Sequence, residues 1–152
     1  MIRVLMADDH KLLREGVRRL LESERDIEVV GEAENGLEAQ RLVLELRPDV
    51  VLMDVSMSII DGISATREVV RQWPDVKVVM LSMHAQDGHL FQALQAGAVG
   101  YVLKTAGADQ MLAAIRAAAS GGAVIAPNLA EKLLSEFRRV LFRSKSFASG
   151  LT

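Results

Sequence analysis

With 152 residues, 50% of them hydrophobic, and a net charge of −2, the chain has the size of one domain and enough apolar content for a core. Its 18 Lys and Arg against 20 Asp and Glu leave no broad basic surface to neutralise a phosphate backbone, which argues against autonomous binding of nucleic acid. Cysteine is absent, no secretory signal fits before Asp8, and no apolar run approaches the roughly 20 residues that span a bilayer, so a soluble protein of a reducing cytoplasm is expected, with no membrane partner.

An apolar run, Ile2 to Ala7, opens the chain and ends on Asp8 and Asp9. A helical segment follows, with Leu12, Leu13, Val17, Leu20 and Leu21 predicted inward and Lys11, Arg14, Arg18 and Arg19 outward. Ile27 to Ala33 reads as the second strand, Leu37 to Leu46 as the second helix and Val50 to Asp54 as the third strand. Val76 to Ser82 and Gly100 to Leu103 are the fourth and fifth strands. Pro48 and Pro74 each stop a helix just before a strand, because proline lacks the backbone donor and restrains its predecessor. Gly62 permits a tight turn after the third strand, and Gly97 ends the fourth helix. Right-handed crossovers between parallel strands place helices on both faces, which predicts an α/β fold with a doubly wound, five-stranded parallel sheet and a central first strand.

After Gly121 and Gly122 the repeat stops, so a folded domain over 1–122 and a tail over 123–152 are expected. Within the tail, Leu129 to Leu141 has helical spacing, with Leu133, Leu134, Phe137, Val140 and Leu141 apolar. A short helix of this kind needs a packing partner, which the domain's last helix, a second copy or a further domain would supply.

Parallel strands bring their carboxyl ends to one sheet edge, where ligands collect in open α/β sheets. Asp8, Asp9 and Asp54 all fall there. Crowded carboxylates repel one another, and a hard divalent cation with oxygen ligands, best matched by Mg²⁺, relieves the repulsion. One carboxylate can then attack phosphorus while the cation and an ammonium hold the phosphoryl oxygens. Lys104 closes the fifth strand in GAVGYVLK and supplies the ammonium; Ser82 closes the fourth in VVMLSMH and supplies a hydroxyl. Singly, each such residue at a strand end is most often solvated or a turn former. Their conjunction at successive strand ends is what marks a site. His10 most simply starts the first helix, since Mg²⁺ prefers oxygen. His89 is expected to be solvated, and Trp73 and Phe91 to serve packing.

MADDH, MDVSM, the pair Asp61 and Gly62, LSMH and GAVGYVLK together resemble the receiver domain of two-component response regulators, over roughly Met1 to Gly122. AGAVGYVLK, AIRAAASGG and IAPNLA further resemble the LuxR/NarL/FixJ branch of transcription factors. The resemblance implies a flavodoxin/CheY-like (βα)5 fold with strand order 2-1-3-4-5. It implies a switching module that takes part in its own phosphoryl transfer and dephosphorylation without being a metabolic enzyme. Asp54 would accept phosphate from a sensor histidine kinase. Asp9, Asp54 and the Ser56 carbonyl would bind Mg²⁺ with Asp8 assisting, and Lys104 would hold the phosphoryl group. Ser82 would move toward that group and Tyr101 would rotate inward, repacking the surface of the fourth helix, fifth strand and fifth helix. That surface, or the C-terminal helix, would be the homodimer contact. His84 and Ser56 lie where the family tunes phosphate loss, and a neutral imidazole at His84 can obstruct or orient the attacking water.

In that branch a helix-turn-helix domain follows the linker, and DNA would be reached only through it; Arg138 to Thr152 is too short to form one. The ending RRVLFRSKSFASGLT departs from the expected linker and reads as a truncated or non-native tail, its cluster Arg138, Arg139, Arg143 and Lys145 as a solvated charge run. A second departure is Ser58, where the family usually has Pro after Met57. The loop SMSII should therefore be more mobile and its Ser56 carbonyl less well held, which predicts weaker Mg²⁺ binding.

Three other readings compete with this one. A flavin carrier shares this kind of sheet, but it wants a Gly/Ser/Thr-rich loop after the first strand, and Asp8, Asp9 and His10 would repel its phosphate. An aspartyl-phosphate phosphatase needs a second acid two residues past its nucleophile, where this chain has Ser56. A receiver-shaped interaction domain working without phosphate is the remaining alternative.

Overall fold

The computed structural model describes residues 1–83, 89–122, 124–125, 134–135 and 138–139. Strands and helices alternate: β1 Ile2–Ala7, α1 Lys11–Glu22, β2 Ile27–Ala33, α2 Gly36–Leu46, β3 Val50–Asp54, α3 Gly62–Gln72, β4 Lys77–Ser82, α4 His89–Gln95, β5 Gly100–Leu103, α5 Ala108–Ala119 and β6 Val124–Ile125. All strand pairs are parallel and the sheet order is β2-β1-β3-β4-β5-β6. The five-stranded, doubly wound α/β sheet in order 2-1-3-4-5 is thus present. A two-residue strand extends it, pairing Gly100 with Val124 and Tyr101 with Ile125. β1 lies inside the sheet, flanked by β2 and β3, with β3 nearer the middle than the central placement expected of β1.

The period of two along each strand sorts the apolar side chains into two cores. Leu5, Val51, Met53, Val78 and Met80 pack with Ala39, Val43, Ala65, Val69, Leu90 and Ala93 of α2, α3 and α4. Val4, Met6, Val50, Leu52, Val79 and Leu81 face the other way, onto Val17, Leu21, Met111, Leu112 and Ile115 of α1 and α5. β3 is buried along its whole length, which is why it reads as an unbroken apolar run.

Helix ends follow local chemistry. Asn35 and Asp61 cap α2 and α3, each side chain accepting from a backbone N–H three residues on, Glu38 and Ser64, at 2.8 Å. Arg47, before Pro48, takes the left-handed conformation that ends α2, and its guanidinium lies 5.1 Å from the centre of the Trp73 ring. Gly97 turns the chain out of α4 with φ +109°.

On α1 two expectations are reversed: Leu12 is 84% exposed, while Arg14 is buried, 7% exposed. Arg14, Val17 and Leu21 share one helical face at spacings of three and four, and that face meets the sheet. The burial is affordable because Arg14 Nε donates to Glu32 Oε1 at 3.0 Å and NH1 donates to the Asp8 carbonyl. A β-bulge makes this possible: the register jumps from Val4 opposite Val29 to Leu5 opposite Gly31. The extra residue turns Glu32 onto the α1 side, opposite Met6.

Of the expected tail helix, 134–135 and 138–139 are helical and exposed. The rest of Leu129 to Leu141, and the remainder of the tail apart from Val124 and Ile125, lies outside the described residues. No helix among the described residues is long and apolar enough to cross a membrane.

Candidate functional site

Parallel register carries the strand ends to a common edge. Ala7 pairs with Met53, Asp54 with Leu81 and Ser82 with Leu103, so Asp8, Asp54, Ser82 and Lys104 leave the sheet side by side. Lys104 Nζ donates to Asp54 Oδ2 at 2.9 Å and lies 3.2 Å from Asp8 Oδ2. All three of these side chains are nearly sealed from solvent. Asp9 is exposed beside them, and ligand atoms of Asp8, Asp9, His10 and Asp54 all fall within 4.8 Å of one another.

Burial dominates the electrostatics at Asp54. Desolvation pushes its carboxyl from the ordinary 3.8 up to about 6. The hydrogen bond and charge of Lys104 pull in the opposite direction, the neighbouring Asp8 adds to the rise, and the Ser56 N–H, 3.2 Å from Asp54 Oδ1, opposes it weakly. One ammonium is shared by two enclosed acids, with a third at the mouth. This set of hard oxygen donors with too little positive charge fits a small divalent cation.

The β3–α3 loop behind Asp54 is tightly built. Val55 N–H donates to the Leu81 carbonyl at 2.9 Å, and Gly62 N–H returns to the Val55 carbonyl at 2.9 Å. A Cβ on Gly62 would overlap the Asp54 carbonyl, so glycine is required by close approach of the backbone. Ile60 N–H donates to the Ser58 carbonyl at 2.8 Å, closing a three-residue turn on Ile59 at φ +68°. A β-branched residue there is strained, and Ile59 is 73% exposed, so no packing offsets the strain.

Asp8, Asp54 and Lys104 meet directly, and Asp9 borders them. Ser56 is exposed on the loop two residues past Asp54. Ser82 is buried at the end of β4, its carbonyl accepting the Lys104 N–H at 2.7 Å. Tyr101 is buried in the core shared with α2, α3 and α4, so its ring is inward in this structure. His84 lies outside the described residues. His89, expected to be solvated, is only part-exposed at the start of α4, and its Nδ1 is enclosed without a hydrogen-bond partner among the described residues. With Asp9, Ser56, Asp61, Ser64, Arg67 and Gln92 it lines an open hollow of about 670 Å³ beside the acids. Sequence reasoning missed Arg14, which anchors the Asp8 carbonyl; its helical spacing with Val17 and Leu21 was the available signal.

The fold and this cluster of acids and lysine define a class, and comparison with known proteins agrees. The family model of the response regulator receiver domain matches residues 4–116, and the chain belongs to that family. It is 44% identical over 138 residues to the transcriptional regulatory protein LiaR of Bacillus subtilis (strain 168), covering 91% of this chain and 65% of LiaR. It is 42% identical over 140 residues to the transcriptional regulatory protein DegU of Brevibacillus brevis, covering 92% of this chain and 59% of DegU. Among solved structures it resembles a two-component response regulator of the LuxR family from Aurantimonas sp. SI85-9A1, with TM-score 0.84 and 34% identity, covering 90% of this chain and 97% of that one. The chain therefore spans about three fifths of the length of these two curated relatives.

Proposed function

We propose that the chain is a phosphorylation-controlled switch in which Asp54 accepts a phosphoryl group from a sensor histidine kinase. The observation that carries this reading is an enclosed Asp54 carboxylate with Lys104 Nζ at 2.9 Å and two further acids around it. Asp9, Asp54 and the Ser56 carbonyl would hold Mg²⁺, with Asp8 assisting, and the ion when bound would supply positive charge against the phosphoryl oxygens. Asp54 Oδ attacks phosphorus as the bond from phosphorus to the donor's histidine nitrogen breaks, and Lys104 steadies the transferred oxygens. Ser82 donates its hydroxyl to a phosphoryl oxygen, and the Tyr101 ring is held inward beside it. The new dianion favours whichever arrangement of α4, β5 and α5 makes those contacts.

That surface, or the C-terminal helix, then serves as a homodimer contact. Output is transcriptional, by analogy with relatives whose names say so, through a DNA-binding domain outside residues 1–122, with 123–152 serving as linker and tail. His84 and Ser56 tune phosphate loss. Ser56 offers no acid for a leaving group, so external phosphoesters are not turned over. The setting is cytoplasmic, where sensor kinases present their phosphohistidine.

Intact mass after incubation with Mg²⁺ and acetyl phosphate tests the reading, beside an Asp54→Asn variant. One phosphoryl adduct, lost in the variant, is the expected result. A folded parent that takes no adduct would overturn it in favour of a phosphate-independent interaction domain.

A further inference from the structure

His10 is the N-cap of α1, yet its side chain makes no capping hydrogen bond. The ring leans over the acids instead. Nδ1 lies 3.1 Å from Asp9 Oδ1, 3.2 Å from Asp8 Oδ1 and 3.9 Å from Asp54 Oδ2. Adjacent donors on a six-coordinate ion with bonds of about 2.0–2.1 Å are about 2.9 Å apart, and opposite donors about 4.2 Å. The His10 nitrogen already sits at or between those separations from three carboxylates. The backbone beneath is pinned, since the Asp8 N–H donates to the Ala33 carbonyl at 3.0 Å and Arg14 holds the Asp8 carbonyl. The ring itself is 62% exposed, so it can turn its lone pair inward at little cost in desolvation.

We propose that His10 is a fourth protein donor at the acidic site, coordinating divalent ions of the first transition row such as Mn²⁺, Co²⁺ and Ni²⁺, while Mg²⁺ is held by oxygens alone. The inference rests on the reading of these acids as a cation site. Imidazole is a poor ligand for hard Mg²⁺ and a good one for borderline ions, whose affinities rise from Mn²⁺ through Co²⁺ to Ni²⁺. Carboxylates alone would give the same order, so the test is how the ratio of affinities depends on His10. If His10 were only an ion-pair partner of Asp8 and Asp9, it would compete with every cation, and removing it would tighten them all.

Calorimetric titration of Mg²⁺, Co²⁺ and Ni²⁺ into the full chain, its His10→Ala variant and its Asp9→Asn variant separates these cases. Circular dichroism checks that each is folded, and pulsed electron paramagnetic resonance of the Mn²⁺ complex reads directly bound ¹⁴N. In His10→Ala we expect Co²⁺ and Ni²⁺ to bind about tenfold more weakly or worse, Mg²⁺ to stay within about twofold, and the ¹⁴N coupling to vanish. Equal weakening of all ions, tightening of all ions, or a persistent ¹⁴N coupling would overturn the role of His10 while leaving the cation site standing. Binding of no ion, or binding indifferent to Asp9→Asn, would overturn the cation site and this inference with it.

Discussion

Asp54 is held in the fold at the expense of stability, and Asp54→Asn should expose that. Burial raises its carboxyl from 3.8 to about 6, so the folded state keeps a proton to higher pH than the unfolded chain does. Folding therefore takes up protons between 3.8 and about 6, and stability falls as pH rises through that window, then levels off. At about 1.36 kcal/mol per pH unit, the ionised carboxylate is less favourable in the fold by up to roughly 3 kcal/mol at pH 8. Asparagine has the shape of the neutral form and escapes this cost. In buffer with EDTA at pH 8, the variant should melt higher than the parent by up to roughly 6–12 °C, from about 2–4 °C per kcal/mol at this chain length. The gain should shrink as pH falls toward 4. Mg²⁺ should close the gap from the other side, stabilising the parent more than the variant, because an ion that binds only the folded state adds RT ln(1 + [Mg²⁺]/Kd). Urea and thermal melts at several pH values, with and without Mg²⁺, measure all three. A variant no more stable than the parent at pH 8, or a gain that does not vary with pH, would refute the reasoning.

Four further outcomes concern neighbouring features. Ile59→Gly removes a β-branched side chain from a left-handed turn and should stabilise the fold by about 0.5–1 kcal/mol in urea denaturation, since relief of strain exceeds the added freedom of the unfolded chain. A loss of stability would mean the turn is unstrained. Ser58→Pro restrains the same loop and should tighten Mg²⁺ binding by calorimetry; a variant that binds no tighter would sink the account of Ser58 as a loosening residue. Arg14→Leu keeps an apolar stem but strips the Asp8 carbonyl and Glu32 of a buried donor, and should destabilise by roughly 2–3 kcal/mol. Substitution of Arg19, exposed on the same helix, should change stability by less than about 0.5 kcal/mol in the same melts.

Much of the architecture was legible because it is written in local periodicity. The β1, β2, β3 and β5 limits coincide with the apolar runs, and the alternation of runs with helical segments suffices for a doubly wound parallel sheet. The same logic located Asp8, Asp9, Asp54, Ser82 and Lys104 at one edge, since parallel strands all end there. The resemblance to receiver domains added the strand order and the roles. Two-residue β6 was missed because so short a strand carries no periodic signal and exists only by pairing with the β5 edge.

The chain's own sequence, then, determined which segments are strands and helices and which chemically active residues end them, because backbone propensity and apolar spacing act over a few residues. Tertiary structure alone decided that Lys104 lies between Asp8 and Asp54, that the bulge in β2 turns Glu32 toward Arg14, and that His10 leans over the acids instead of capping its helix. Those outcomes depend on register between strands distant in the chain and on burial, which raises the Asp54 carboxyl above its ordinary value.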